Sequence, residues 1–278
     1  MKIDRHQLVA ESNDFDIAIE ETPNTSGSFS DDLPDTIVIH YTGGASLDST
    51  VSWLKNPAAK ASAHLVVGKS GKIVQLAAFK EKTWHAGESA WKGREWLNHF
   101  SIGIEIDNAG LLEQRADGYY TSFSRKIKND QVVLATHKHQ SLVRGWEAYT
   151  EEQLNSVEAI CIELIASYPI VEILGHDDIS PRRKVDPGPA FPLISLKDKV
   201  LLGRGDVPVP ESTADNKIGI VNADFLNIRT NPSFQALKVT EPLAKGTKVI
   251  VQESVGDWSR VKVDLEGWVS KKWIKIIE

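Results

Sequence analysis

Ser101-Ile102-Gly103-Ile104-Glu105-Ile106-Asp107 alternates without a break. In an extended chain successive side chains point to opposite faces, so the three isoleucines share one face and Gly103, Glu105 and Asp107 the other. The pattern is that of a sheet strand with its apolar face covered. Glu105 is then a carboxylate fixed beside the free space of a glycine, a group costly to bury without a partner or a chemical task. Thr36-Ile37-Val38-Ile39-His40 is a second short apolar run. Here Ile37 and Ile39 share one face and Val38 and His40 the other. His40 stands at the carboxyl end of its strand, where open α/β sheets place their ligands.

Working outward, Gly43-Gly44 break the second strand, and Ser46 begins a predicted helix that runs through Trp53 and Leu54 and stops before Pro57. Residues 63–67 and 73–77 flank Gly68-Lys-Ser-Gly-Lys72 and form an expected hairpin. Thr150 and Gln153 make a capping box, and Leu154, Val157, Cys161, Leu164 and Tyr168 then follow helical spacing until Pro169. Cys161 lies on that apolar stripe and is expected to be a buried, inert thiol. Ile170–Leu174 supplies another short strand, leading into His176. Strands alternating with helices indicate an α/β domain with a mixed sheet. Residues 1–33 are polar and are expected to form a partly ordered arm, while residues 109–149 are mixed and carry no clear pattern. Residues 203–215, rich in Gly, Pro and Ser, are the expected linker. Beyond it, short β-rich runs at Ile218–Val221, Thr247–Val251, Trp258–Val263 and Gly267–Val269 predict a small all-β barrel or sandwich over 216–278. The first domain is thereby placed at 1–202.

The chain has 278 residues, 41% hydrophobic and 25% charged, with a formal net charge of −6 and both signs interspersed. A nucleic-acid binder needs a concentrated basic surface, which is absent. No stretch approaches the roughly 20 apolar residues of a membrane span. Met1–Ser30 lacks a basic start followed by an apolar core, so no signal peptide is visible. A cytoplasmic protein is expected on that ground, with export or phage-type release left open. The single cysteine excludes an intrachain disulfide.

Between Gly175 and Pro189, Gly-His-Asp-Asp-Ile-Ser-Pro-Arg-Arg-Lys-Val-Asp-Pro-Gly-Pro, an imidazole (His176), an ammonium (Lys184) and a carboxylate (Asp186) share one irregular segment stiffened by prolines. Asp186 precedes a proline and is biased towards extended backbone. That puts Lys184 and Asp186 on one side and Val185 on the other. Imidazole and carboxylate are ligands for hydrolytic zinc, and a nearby cation suits the anion that hydrolysis creates. With His40, the set His40, His176 and Asp186 leaves a fourth position for water. Glu105 would serve as general base and then acid, Lys184 as oxyanion stabiliser, and the reaction would be metal-assisted amide hydrolysis. Against this stands the ordinary alternative that each histidine is a satisfied structural residue and the loop charges are common loop chemistry. No local signature such as His-Glu-x-x-His decides between them.

At these residues the chain resembles the type 2 N-acetylmuramoyl-L-alanine amidases. The matching pieces are Ile39–Thr42, Ser62–Leu65, Trp84–Gly87, Asn98–Glu105 and Gly175–Pro192, in family order across roughly residues 34–200. The resemblance implies a central mixed β-sheet flanked by helices. It implies zinc on His40, His176 and Asp186, with Glu105 and Lys184 as catalytic partners. It also implies a peptidoglycan or muropeptide substrate cut between the muramic acid lactyl group and L-alanine. Asp as third ligand looks like the AmpD and AmiD branch. His64, His85 and Trp84 fall in the motifs as candidate substrate contacts, a structural role standing equally open for each; Trp91 is similar. His137 and His139 are expected to face solvent, and Tyr119 and Tyr120 to belong to a cleft-rim insertion. The tail resembles a bacterial SH3 domain through Leu226–Ser233, Leu243–Val249, Gly256–Val261 and Gly267–Val269, which implies cell-wall binding. Trp258, Trp268 and Trp273 are expected in its core if it is only a brace. A non-catalytic peptidoglycan-binding protein using the same cleft is the competing expectation. Retention of Glu105 and Lys184 beside all three ligands speaks against it.

Overall fold

Six strands build the sheet that the isoleucine pattern predicts: β1 (Ile17–Ile19), β2 (Thr36–Tyr41), β3 (Leu65–Val67), β4 (Ile73–Gln75), β5 (Ser101–Ile106) and β6 (Glu172–Gly175). Their order is β6-β2-β5-β3-β4-β1. All neighbours run parallel except the β3–β4 hairpin, so the sheet is mixed as expected. The computed structural model describes residues 1–30, 32–201, 217–223, 225–229, 242–255 and 258–263.

One face of the sheet carries Ile37, Ile39, Leu65, Val67 and the three β5 isoleucines. It is closed by α2 (Glu151–Ser167) through Val157, Ile160, Cys161 and Leu164, with Leu196 and Val200 of α4 (Leu193–Leu201) in the same cluster. Helix α2 starts where the capping box places it: the Thr150 hydroxyl accepts from Gln153 N–H, and the Gln153 amide oxygen accepts from Thr150 N–H. Burial pushes the Cys161 thiol's pKa up, which leaves it an inert packing residue. On the opposite face α1 (Leu47–Leu54), capped by Ser46, packs Val51 and Leu54 against Val66, Val74 and Leu76. Around Val38 and Leu174 that same face holds Ala86, Leu97 and Ile179.

The N-terminal stretch is no loose arm. β1 extends the sheet edge beside β4, and Thr25–Ser28 pairs with Glu81–Thr83. Buried amides pin it. The Asn24 side chain donates to the carbonyls of Leu54, Asn56 and Ala61, and the Gln75 side chain accepts from Leu8 N–H while donating to His6 and Ala77. Polar composition misleads here because these side chains replace backbone partners inside the domain. Residues 109–149 hold a three-stranded sheet (Glu113–Arg115, Gly118–Tyr120, Lys126–Ile127) and a hairpin of Val132–Thr136 with Val143–Glu147.

The chain divides into two compact units, Met1–Val207 and Pro208–Glu278. In the second, Lys217–Ile220, Lys248–Val255 and Trp258–Lys262 form an antiparallel sheet, and Phe225–Leu226 pairs with Leu243–Ala244. Among the described residues, Val221, Leu243 and Val249 are buried in its core, and Trp258 is half-buried. The expected linker 203–215, the run Gly267–Val269, Trp268 and Trp273 lie outside the described residues.

Ile104 is fully buried at the centre of the sheet, whereas Ile162 on α2 is 49% exposed. Ile104→Ala should lower unfolding free energy by roughly 2–5 kcal/mol, and Ile162→Ala should stay within about 0.5 kcal/mol, both measured by urea denaturation. Equal effects would contradict the assignment of the buried face.

Candidate metal centre and its cleft

Strand register assembles the site. Glu105 on β5 pairs directly with His40 on β2, and Gly175 at the end of β6 pairs with Ile39. His176, one residue further, therefore comes beside His40 at the carboxyl ends of three adjacent parallel strands. The chain then makes a short helix, α3 (His176–Ile179), and returns through Asp186. Two ties hold the return: Asp177 N–H donates to the Asp186 carbonyl at 2.8 Å, and Tyr149 Oη donates to the Pro187 carbonyl at 2.8 Å.

Nδ1 of His40 lies 2.8 Å from Nδ1 of His176 and 3.1 Å from Oδ2 of Asp186, and the latter two are 2.9 Å apart. All three residues are buried, and their donor atoms lie within 4.8 Å of one another. Nε2 of His176 faces the Ala86 carbonyl at 3.1 Å. A carbonyl only accepts, so the hydrogen belongs on Nε2 and Nδ1 presents a lone pair. Burial, with His176 beside it, pushes the His40 pKa down to about 4, so this imidazole is neutral near pH 7. Imidazole lone pairs and a carboxylate oxygen thus converge on one point. Two nitrogens and one oxygen are a donor set that fits a divalent metal with three protein ligands.

Glu105 sits next to this set. Burial, reinforced by the Asp186 charge and opposed by Lys184, pushes its pKa up to about 8. Its Oε2 has no hydrogen-bond partner among the described residues. Lys184 lines the same cleft, and its charge acts on both His40 and Glu105. Lys184 and Asp186 do share the cleft, but Val185, expected opposite, lines it too. The turn that precedes this segment is closed by Lys184 N–H donating to the Ser180 carbonyl.

The cleft has a volume of about 450 Å³. Trp84 and His85 form part of its wall, but His64 does not. His64 is fully buried beneath it; Nε2 donates to the Glu81 carbonyl and Nδ1 accepts from Gly103 N–H. Trp91 packs in the cluster around Val38, and neither Tyr119 nor Tyr120 lines the cleft. His137 overturns the expectation of solvent exposure, whereas His139 is exposed as expected. His137 is 1% exposed, with Nε2 bonded to the Asp177 carboxylate at 2.9 Å, and His139 Nε2 bonds to the Asp177 carbonyl. The hairpin that carries them is thereby docked on the residue following His176. Tyr41, Trp53 and Arg183 are among the cleft residues that had no place among the candidates. Tyr41 could have been found from its place at a strand's carboxyl end. Trp53 could have been found from an aromatic on the polar side of α1. Arg183 donates to the carbonyls of Ala86 and Glu88 and to Ser180 Oγ, joining two loops, and left no sequence signal.

Residues 30–189 match the N-acetylmuramoyl-L-alanine amidase family, and residues 224–275 match the bacterial SH3 domain. The chain is 31% identical over 180 residues to the 1,6-anhydro-N-acetylmuramyl-L-alanine amidase AmpD of Salmonella typhimurium, covering 58% of this chain and 78% of that protein. It is 32% identical over 166 residues to the N-acetylmuramoyl-L-alanine amidase AmiD of Escherichia coli, covering 56% of this chain and 49% of that one. Among solved structures, a selenomethionine derivative of AmpD aligns with a TM-score of 0.49 at 27% identity, over 72% of this chain and 99% of its own.

Burial also pushes His64 from the ordinary 6.5 down to about 4. A depressed folded-state pKa means that the unfolded chain binds the proton first. Stability is therefore full above pH 6.5 and falls as pH drops towards 4, by about 3 kcal/mol from this residue. Denaturant midpoints of metal-free protein between pH 7 and 4 should show the decline; a flat profile would contradict a buried neutral His64.

Proposed function

We propose, from the premise that this chain belongs to the N-acetylmuramoyl-L-alanine amidase family, that His40, His176 and Asp186 hold a zinc ion and that Glu105 and Lys184 carry the chemistry beside it. The enzyme hydrolyses the amide between the lactyl group of muramic acid and the L-alanine of the stem peptide, with muropeptides or peptidoglycan as substrate. The observation that carries the residue roles is the strand register, which sets the half-buried Glu105, its Oε2 buried and without a partner among the described residues, directly beside a converging His-His-Asp donor set.

Bound zinc would supply a Lewis acid that polarises the scissile carbonyl and makes water a usable nucleophile near neutral pH. Glu105 takes a proton from the attacking water and delivers it to the leaving nitrogen. Its burial favours the protonated form once the proton has been taken, which suits the second half of that task. Lys184 places a positive charge where the carbonyl oxygen gains negative charge. Trp84 offers an aromatic face in the cleft wall for sugar or peptide. His85 also belongs to that wall, while the burial of His64 removes it from substrate contact.

We assign a catalytic domain to 1–202, a linker to 203–215 and a bacterial SH3-like domain to 216–278; the matched stretches 30–189 and 224–275 fall inside the first and the last. The last is assigned to holding the enzyme on wall material. Among the described residues no helix is long and apolar enough to cross a membrane.

Chelation of the purified enzyme should abolish release of stem peptides from defined muropeptides, and zinc should restore it, with products read by mass spectrometry and metal measured in the same sample. Full activity without metal would refute the zinc assignment. Glu105→Ala should keep its zinc and lose roughly 10²–10⁴-fold in turnover; a loss below tenfold would remove it as the base. Deleting Lys217–Glu278 should weaken pelleting with insoluble wall more than cleavage of soluble fragments, and equal losses would make the second unit a brace.

A further inference from the structure

One nitrogen of His40 faces the donor set, and the other faces His85. Nε2 of His40 lies 3.0 Å from Nδ1 of His85, and Nε2 of His85 lies 3.2 Å from the Ser101 carbonyl. The Ser101 hydroxyl is 3.3 Å from the same nitrogen, but its proton is already donated to the Leu97 carbonyl at 2.6 Å. Both Ser101 oxygens are therefore acceptors, and Nε2 of His85 must carry the hydrogen. A neutral imidazole has one N–H, so Nδ1 of His85 holds a lone pair. The hydrogen in its contact with His40 then comes from Nε2 of His40, which frees Nδ1 of His40 towards His176 and Asp186.

We propose that His85 is a positioning residue of the metal centre, fixing the tautomer and ring orientation of His40. The proposal rests on the zinc assignment above and names a residue that serves it without being one of the metal's ligands. The surrounding chain is built for this placement. Asn98 Oδ1 accepts from the N–H groups of His85 and Ala86 at 3.0 and 2.7 Å, which locks the loop. Gly103, two residues before Glu105 on the same face of β5, leaves the room the ring needs; a Cβ there would lie 2.3 Å from Cγ of His85. The next residue, Ala86, supplies the carbonyl that fixes His176. Two consecutive residues thus orient both histidines. Groups that accept from the outer nitrogen of a ligating histidine commonly change metal affinity by 10–100-fold when removed.

The test uses the full-length chain. Long-range proton–nitrogen correlation spectra of the metal-free protein should show both His40 and His85 as the Nε2–H tautomer; Nδ1–H on either ring overturns the proposal whether or not zinc binds. Zinc affinity by competition with a chelating dye forms the second arm. Wild type should bind one equivalent and His40→Ala should lose it, and failure of that pair refutes the zinc assignment alone. His85→Ala should bind zinc roughly 10–100-fold more weakly with an unchanged circular dichroism spectrum. His85→Asn, whose Oδ1 can replace Nδ1 as acceptor, should recover most of the affinity. Gly103→Ala, which displaces the ring, should weaken zinc as His85→Ala does. Wild-type affinity in folded His85→Ala overturns the proposal, and so does a His85→Asn variant no better than alanine.

Discussion

Parallel pairing of Ser101–Ile106 with Thr36–Tyr41 is the constraint from which the site descends. The sheet must cover one face with α2, and the isoleucines of both strands are spent there. Period-two alternation then obliges the intervening residues to occupy the other face. Those residues are Val38 and His40 on one strand and Gly103 and Glu105 on the other, in direct register. A carboxylate in that position loses hydration with no cation in hydrogen-bond contact among the described residues, and the cost appears as its raised pKa. Slipping the register by one residue would send Glu105 under α2 and an isoleucine into the cleft. The hydrophobic face therefore fixes the placement of the reactive one.

The two motif histidines on this face show how one residue type takes different work. His64 turns both ring nitrogens towards protein groups and sits below the cleft floor. His85 touches the cleft and the ring of His40. Their separation follows from Gly103, whose backbone N–H bonds one and whose missing side chain admits the other. Sequence could place both in family motifs but could not divide their roles, because the division lies in which backbone groups each nitrogen meets.

What could be read ahead of the structure was whatever had a local cause. Ser46 and Thr150 cap the helices they were expected to cap, and the Gly68–Lys72 turn joins two strands. His40, Glu105, His176 and Asp186 meet as expected because strand alternation and sheet ends have rules. The misses had distant causes. The N-terminal strands are three or four residues long and are held by Asn24 and Gln75, whose partners lie up to 69 positions away. His137 looked solvated among Lys138, His139 and Gln140, yet its partner Asp177 is 40 positions on. Lys184 and Asp186 share the cleft as expected, but Val185 lines it as well.

His40 and His176 are 136 positions apart and meet only once Glu172–Gly175 has joined the sheet beside Thr36–Tyr41. Contacts of such separation require closure of a long loop and form slowly. A nascent or half-folded chain therefore presents scattered histidines and no chelating pocket. An ion held by these residues, as proposed, would find its ligands together only on completed topology, unlike the small metal-nucleated domains in which the ion gathers the fold around itself.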